Sequence, residues 1–341
     1  MQPGPKNQIT DIKGLRVGNT SDHRLRSGVT ALVCDVDNTA SVHVMGGAPG
    51  SRETDLLAPQ NTVQGVNAFV LSGGSSFGLD AASGAQSVLR EKKRGFEIRG
   101  HHIPIVPSAI LFDLINGGDK DWGETNPYHA LGAEAVETAS ADFELGSVGA
   151  GVGALIGGPD AGLKGGLGSA STRLANGATV GALVAVNAMG AATVGESEHF
   201  WAAPFELDDE FGGLGIADVP SAESHKLRVK FQDEQAQGAN TTIAVIATDA
   251  KLDKSQCQRL AVAAHDGFAR ALWPVHTPMD GDLIFSLSTG GAGVEPGLQE
   301  QIELSAVAAS TMSRAIARAV YCARTADGDV FPTWAKAFNR D

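Results

Sequence analysis

Sulfur, positive charge and long apolar runs are all scarce in this sequence, and each shortage removes a class of protein. Three cysteines, Cys34, Cys257 and Cys322, occur in 341 residues. They stand far apart, lack CxxC spacing and are odd in number, so neither a disulfide framework nor a zinc site is indicated and they read as buried small hydrophobes. Lys and Arg total 26 against 39 Asp and Glu, a formal net charge of −13. The basic residues are scattered rather than striped, which argues against a nucleic-acid partner. No run of about 18 apolar residues suggests a membrane span. The opening MQPGPKNQITDIKG has no basic segment followed by an apolar one, so no secretory signal is read and the cytoplasm is the expected location.

What is abundant is glycine, 43 residues, interleaved with apolar residues in a chain that is 43% hydrophobic and 19% charged. That composition predicts a soluble globular protein whose glycines mark turns and close backbone approaches. The length fits one large domain, 1–341. Val29 to Val36, Val66 to Leu71, Ala178 to Val186, the TTIAVIAT run and Leu283 to Leu287 read as buried strands. Helices are expected over 79–93, His129 to Ser140, Asp253 to Leu272 with Asp253 as N-cap, and the Ala-rich Glu300 to Arg324. A polar connector, Gly212 to Gly238, reads as an exposed, mobile segment ending in Gly-Ala-Asn. Strands grouped between long helices, without regular βαβ alternation, favour a layered α+β fold.

Several motifs invite chemistry. Gly149, Gly151 and Ala154 fit GxGxxA, but no lone strand-to-helix turn carries them and no acidic residue is placed for a ribose, so tightly packed glycine loops are the better reading. Gly74-Ser75-Ser76-Phe77-Gly78 matches G-x-S-x-G between a strand and a helix, which offers Ser76 as an esterase nucleophile. Against it, no histidine has a distinctive setting and no HGGG segment precedes it. Close strand-to-helix packing explains the glycines equally well. His101-His102 lacks a matching ligand set, and adjacent strand residues face opposite ways, so no metal is expected. Asp280-Gly281-Asp282 places two carboxylates on one face of an extended segment, where like charges would raise one pKa and suit proton handling. A solvated turn and a DxD cation site are the other readings.

The stretch GANTTIAVIATDA raises a sharper possibility. A threonine hydroxyl is a weak nucleophile that needs a base, and its own α-amine, with a pKa of about 7.7–8.0, can serve once the chain is cut before it. Asn240-Thr241, at the end of a connector and the head of a strand, is where such a cut would leave a nucleophile on rigid β-structure.

At this point the chain resembles the DmpA-type N-terminal-nucleophile hydrolases. ITDIKGLRVGN, GGAPGSRETDLL, VLSGGSSFGLDAASG, IPIVPSAILFDL, KGGLGSAS, GANTTIAVIATDA and HTPMDGDLIF look like that family's blocks, in order. The family holds L-aminopeptidase/D-esterases, β-peptidyl aminopeptidases and endo-type 6-aminohexanoate (nylon-oligomer) hydrolases. The resemblance implies a four-layer αββα sandwich and a precursor that cuts itself into 1–240 and 241–341, the two pieces staying associated. By motif, Thr241 would be the nucleophile, Asn240 the residue before the scissile bond and Asn187, in VAVNAMG, an oxyanion donor. Asp280 and Asp282 match the acidic pair of the nylon-hydrolase branch. Two positions depart: Phe112 stands where that branch has a tyrosine near the nucleophile, and Gly158 where it has a lysine, with Lys164 as a possible substitute. The implied protein is a cofactor-free amidohydrolase acting on short peptides, amino-acid amides or 6-aminohexanoate oligomers, and forming a homo-oligomer. A Ser76 esterase and a non-catalytic paralogue are the alternatives.

Overall fold

The computed structural model describes residues 1–218, 222–231 and 240–340. In chain order the strands are β1 (Leu15–Asp22), β2 (Ser27–Val44), β3 (Ser51–Arg52), β4 (Gly65–Ser72), the hairpin β5 (Phe96–Ile98) and β6 (His101–Ile103), β7 (Ser108–Ile110), the hairpin β8 (Leu155–Ile156) and β9 (Leu163–Lys164), β10 (Gly166–Arg173), β11 (Thr179–Asn187), β12 (Thr241–Thr248) and β13 (Leu283–Ser288). The helices are α1 (Ala81–Glu91), α2 (Tyr128–Glu137), α3 (Lys254–Ala269), α4 (Leu298–Tyr321) and the short α5 (Trp334–Ala337). No helix among the described residues is long and apolar enough to cross a membrane.

Alternation along the strands sorts the core into three layers. In β11 Val180, Ala182, Val184 and Val186 face one apolar cluster with α3 and α4, whereas Leu183 and Ala185 face another. In β2 Val29, Ala31 and Val33 meet α1 and α2, and Leu32 and Cys34 turn inward. The inward faces of β2 and β4 and of β11, β12 and β13 close on each other, with Phe69 stacked on Phe285 at 4.7 Å. Three apolar interfaces between four layers make an αββα sandwich, because each strand has a period of two and both of its faces must be buried.

One ladder joins the two sheets. Its order is β10-β11-β12-β13-β2-β4-β7-β3, with β1 on β2. β2 makes this possible: its first half pairs with β1 and β4, the register slips between Val33 and Asn38, and Thr39–Val44 then pairs with β13. The sequence pattern ends this strand at Val36, since Asp37 and Asn38 read as a turn. Those polar residues instead mark the bend where the strand passes from one sheet to the other. Two parallel pairs, β4 with β7 and β12 with β13, have helices α1 and α3 in their crossovers.

Most helix boundaries follow local chemistry. Asp253 caps α3 in a capping box with Gln256. The expected start of α1 is instead a 3-10 turn, Ser75–Asp80. Cys34 and Cys257 are buried, and burial pushes both thiols up to about 12, as expected of inert core cysteines, while Cys322 is half-buried. The connector departs from expectation. Residues 222–231 form no regular element, yet Lys230 is buried at 6% exposure. The expected mobility of 232–239, Gly238 and Ala239 included, falls outside the described residues.

Candidate active site

Strand register brings the site together. β11 and β12 are antiparallel, and their last pairing sets Asn187 opposite Thr241. On the other side of β12, a parallel bridge sets Asn240 opposite Asp280. The Asn240-Thr241 bond therefore lies at the end of a central strand, with Asn187 on one flank and Asp280-Gly281-Asp282 on the other. Both residues are buried, at 4% and 3% exposure.

The carbonyl between them has two donors. Gly281 N–H donates to the Asn240 oxygen at 3.1 Å, and the Thr241 hydroxyl donates to the same oxygen. Glycine is required at 281 by space alone, since an added Cβ would stand 2.7 Å from Thr241 Oγ1 and 2.7 Å from the Ala48 carbonyl oxygen. The potential nucleophile thus lies beside a carbonyl that a backbone N–H already polarises.

The two aspartates, each 1% exposed, hold the surroundings of the bond. Asp280 accepts from Met189 N–H at 3.2 Å and from Thr277 N–H and Oγ1 at 3.0 and 2.6 Å. Asp282 accepts from Thr242 N–H at 2.7 Å and from His276 N–H and Nδ1 at 3.1 and 2.8 Å. Burial, and next the Asp282 charge, raise the Asp280 pKa. They are buried, hydrogen-bonded groups and not a solvated turn. His276, which had no distinctive setting in the sequence, is one of their partners. Its ring lies 4.8 Å from that of His265, which in turn lies 5.1 Å from that of His43. Burial lowers His265 to about 3 and also lowers His43.

Asn187 is fixed from both ends. Its Oδ1 accepts from Leu155 N–H and from Lys230 Nζ, each at 2.9 Å, and its Nδ2 donates to the Phe112 carbonyl at 2.9 Å. Phe112 thus reaches the site through its backbone, and its half-buried ring has no hydroxyl to offer. Lys230 was not singled out in the sequence, and it is the lysine on Asn187. Lys164 is paired instead with Asp329, at 2.8 and 2.9 Å, beside a cavity of about 440 Å³ that Arg26 and Arg324 also line. Gly158 packs on Leu163.

The other motifs resolve into packing. Ser76 is exposed, and the left-handed position that a nucleophile elbow needs falls on Ser75, at φ 52°. A Cβ on Gly78 would stand 1.8 Å from the Gly73 carbonyl oxygen, and one on Gly74 2.1 Å from the Tyr128 ring, so these glycines serve close approach. Gly149 packs in the same way against Thr30 and Asn19. His101 and His102 lie in the β5–β6 hairpin.

Comparison with known proteins agrees with this frame. The chain is 40% identical to an uncharacterized aminopeptidase of Mycobacterium tuberculosis, over 96% of this chain and 98% of that one. It is 26% identical to the 6-aminohexanoate-oligomer endohydrolase of Kocuria sp., over 82% and 74%. In three dimensions it matches the L-aminopeptidase D-Ala-esterase/amidase of Ochrobactrum anthropi, described as a variant of the Ntn hydrolase fold, with a TM-score of 0.64, 21% identity and 97% and 90% coverage. The sequence pattern of peptidase family S58 matches residues 7–330, and the chain belongs to that family.

Proposed function

We propose that this chain is a self-processing amidohydrolase whose nucleophile is Thr241. The observation that carries the reading is the Thr241 hydroxyl bonded to the Asn240 carbonyl oxygen, together with the Gly281 N–H on that oxygen. Thr241 Oγ1 adds to the Asn240 carbonyl carbon, and Gly281 N–H stabilises the oxyanion. The C–N bond breaks, the hydroxyl proton is relayed by the Asp280/Asp282 pair to the leaving nitrogen, and an ester joins Asn240 to Thr241. Water cleaves the ester, leaving an Asn240 carboxylate, the free Thr241 hydroxyl and a free α-amine.

In turnover that amine takes the hydroxyl proton as Thr241 attacks a substrate amide, the amine of the substrate leaves with a proton, and water releases the acyl group. Asn187 Nδ2 serves as oxyanion donor, and the acidic pair holds the Thr241 ammonium between cycles. Substrates with a free amino end and a short chain suit a buried nucleophile: short peptides, amino-acid amides or 6-aminohexanoate oligomers. The named activities of the relatives support this range. No metal or organic cofactor enters the scheme.

The topology supports association of pieces 1–240 and 241–341 after the cut. The smaller contributes β12, β13, α3 and α4, two central strands and a whole helical layer. The cleaved protomer is proposed to form a homo-oligomer. The small residues of α4 do not supply that contact, because Ala308, Ala315 and Ala319 are buried within the protomer. Exposed Phe96, Ile98 and Ile103 on the β5–β6 hairpin are the better support.

Thr241→Ala tests the assignment. It should stay uncut and inactive, while Ser76→Ala is cut and active. A cut, active Thr241→Ala with an inactive Ser76→Ala would transfer the reaction to Ser76, and inactivity of the wild type on every amide and ester would favour the non-catalytic alternative.

A further inference from the structure

The connector delivers a cation into the site ten residues before the Asn240-Thr241 bond. Lys230 Nζ donates to three oxygens, Leu155 O, Asn187 O and Asn187 Oδ1, each at 2.9 Å. An ammonium has three hydrogens to give, whereas a neutral amine has two and a lone pair that would face an acceptor. Three acceptors therefore select the charged form. Asp280, Asp113 and Asp282 favour it too, but burial is the larger influence, and with all of them acting the Lys230 pKa is lowered to about 7.

Its position has two consequences. The Asn187 amide could sit either way round, and its orientation is decided by what it bonds. Lys230 and Leu155 N–H, both donors, hold Oδ1 on their side and turn Nδ2 the other way. Lys230 is also a buried cation on which the charges of Asp280 and Asp282 act, and it offsets two carboxylates set in one dry pocket.

We propose that Lys230 is a positioning residue that makes cleavage wait for the connector: docking of this segment adds a charged hold on the Asn187 side chain, at Oδ1, to those of Leu155 N–H and the Phe112 carbonyl, and balances the acidic pair. The inference rests on the Thr241 reading given above. With all its hydrogens engaged, Lys230 touches no reacting atom and acts through Asn187 and the aspartates. After the cut it stays with piece 1–240, so it also sets the field at the Thr241 amine. Among the described residues the charged and titratable groups there are Asp280, Asp282, His276 on Asp282, Asp113 and Lys120 beside Asp113. Removing a cation from this set favours the ammonium and raises the amine's pKa.

The test follows self-cleavage of freshly synthesised chain by intact mass, and the pH profile of kcat/KM of the cleaved enzyme on an amino-acid anilide. Lys230→Met should be cut at least ten-fold more slowly and its rising limb should move to higher pH. Lys230→Ala should be cut faster with propylammonium, and not with 1-propanol, which fills the same space without charge. A folded Lys230→Met cut at the wild-type rate with an unmoved limb overturns the inference. Where that variant does not fold, the additive series decides, and rescue by both additives or by neither overturns it. These outcomes leave the nucleophile untouched, since that assignment is tested separately by the cutting of Thr241→Ala.

Discussion

Gly281→Ala tests the geometry of the scissile carbonyl directly. The methyl carbon would stand 2.7 Å from both Thr241 Oγ1 and Ala48 O, where an ordinary contact is about 3.5 Å. Something must move by about 0.8 Å, the difference between those distances. The Ala48 side resists, because its N–H is bonded to Asp280 O at 2.9 Å and Gly46 and Gly47 pack against the same turn. The displacement falls on Gly281 and Thr241 and stretches the 3.1 Å bond from Gly281 N–H to the Asn240 oxygen beyond hydrogen-bond range. Loss of an oxyanion donor costs roughly 10²–10³ in rate, and a misplacement near 1 Å costs about 10². Self-cleavage should slow by at least about 10²-fold, with an overpacking cost of about 1–3 kcal/mol in stability. The glycine has no left-handed φ, so strain in the backbone does not confuse the result. Cell-free synthesis, stopped and followed by intact mass, reads the rate, and chemical denaturation reads the stability. A folded Gly281→Ala cut as fast as wild type would refute the argument.

Asp280→Asn should lower the apparent pKa of the rising limb of kcat/KM, since a carboxylate favours the Thr241 ammonium and the neutral amine is the active form; a limb that does not move would remove the pair from proton handling. Burial holds His265 near 3 in the folded chain against about 6.5 unfolded, so between those values the unfolded state binds a proton that the native state does not. Stability should therefore fall as pH drops from 6.5 toward 3, with His265 contributing about 1.4 kcal/mol per pH unit; urea titrations at several pH values should show a shallower slope for His265→Gln. Arg314→Met should destabilise by about 3–5 kcal/mol and let the cleaved pieces separate in gel filtration. The guanidinium, in piece 241–341, pairs with buried Glu210 and bonds Ser171 O, Thr172 Oγ1 and Asn7 Oδ1, all in the other piece. Pieces that stay together at unchanged stability would contradict that role.

What could be read in advance was what depends on local chemistry. The TTIAVIAT strand is a short β-branched apolar run buried on both faces and is β12 to the residue, and Asp253 announces α3 through its capping box. Thr241 stands out at the head of a strand and Asp280 and Asp282 by their spacing, whereas Asn187 came only from the family resemblance; strand register then brings the four together. Other features are set by tertiary contact and leave no periodic trace. β2 runs on past Asp35–Asn38 because β13 pairs with its second half, which no pattern around Val36 announces. His276 lies in a loop at φ 53°, and Lys230 sits in a polar segment whose composition reads as solvated. A buried lysine in such a segment is found only by accounting for who accepts its hydrogens. For the same reason Lys164, which follows glycines near the expected place, is paired with Asp329.

Cleavage before Thr241 is the claim on which the rest depends, and mass with N-terminal sequencing of the purified protein tests it most directly. The account predicts two co-eluting pieces of about 25 and 10 kDa, in proportion to 240 and 101 of 341 residues, formed without added protease, the smaller beginning Thr-Thr-Ile-Ala. A single intact chain that hydrolyses amides, or a smaller piece that begins at any other residue, would contradict it.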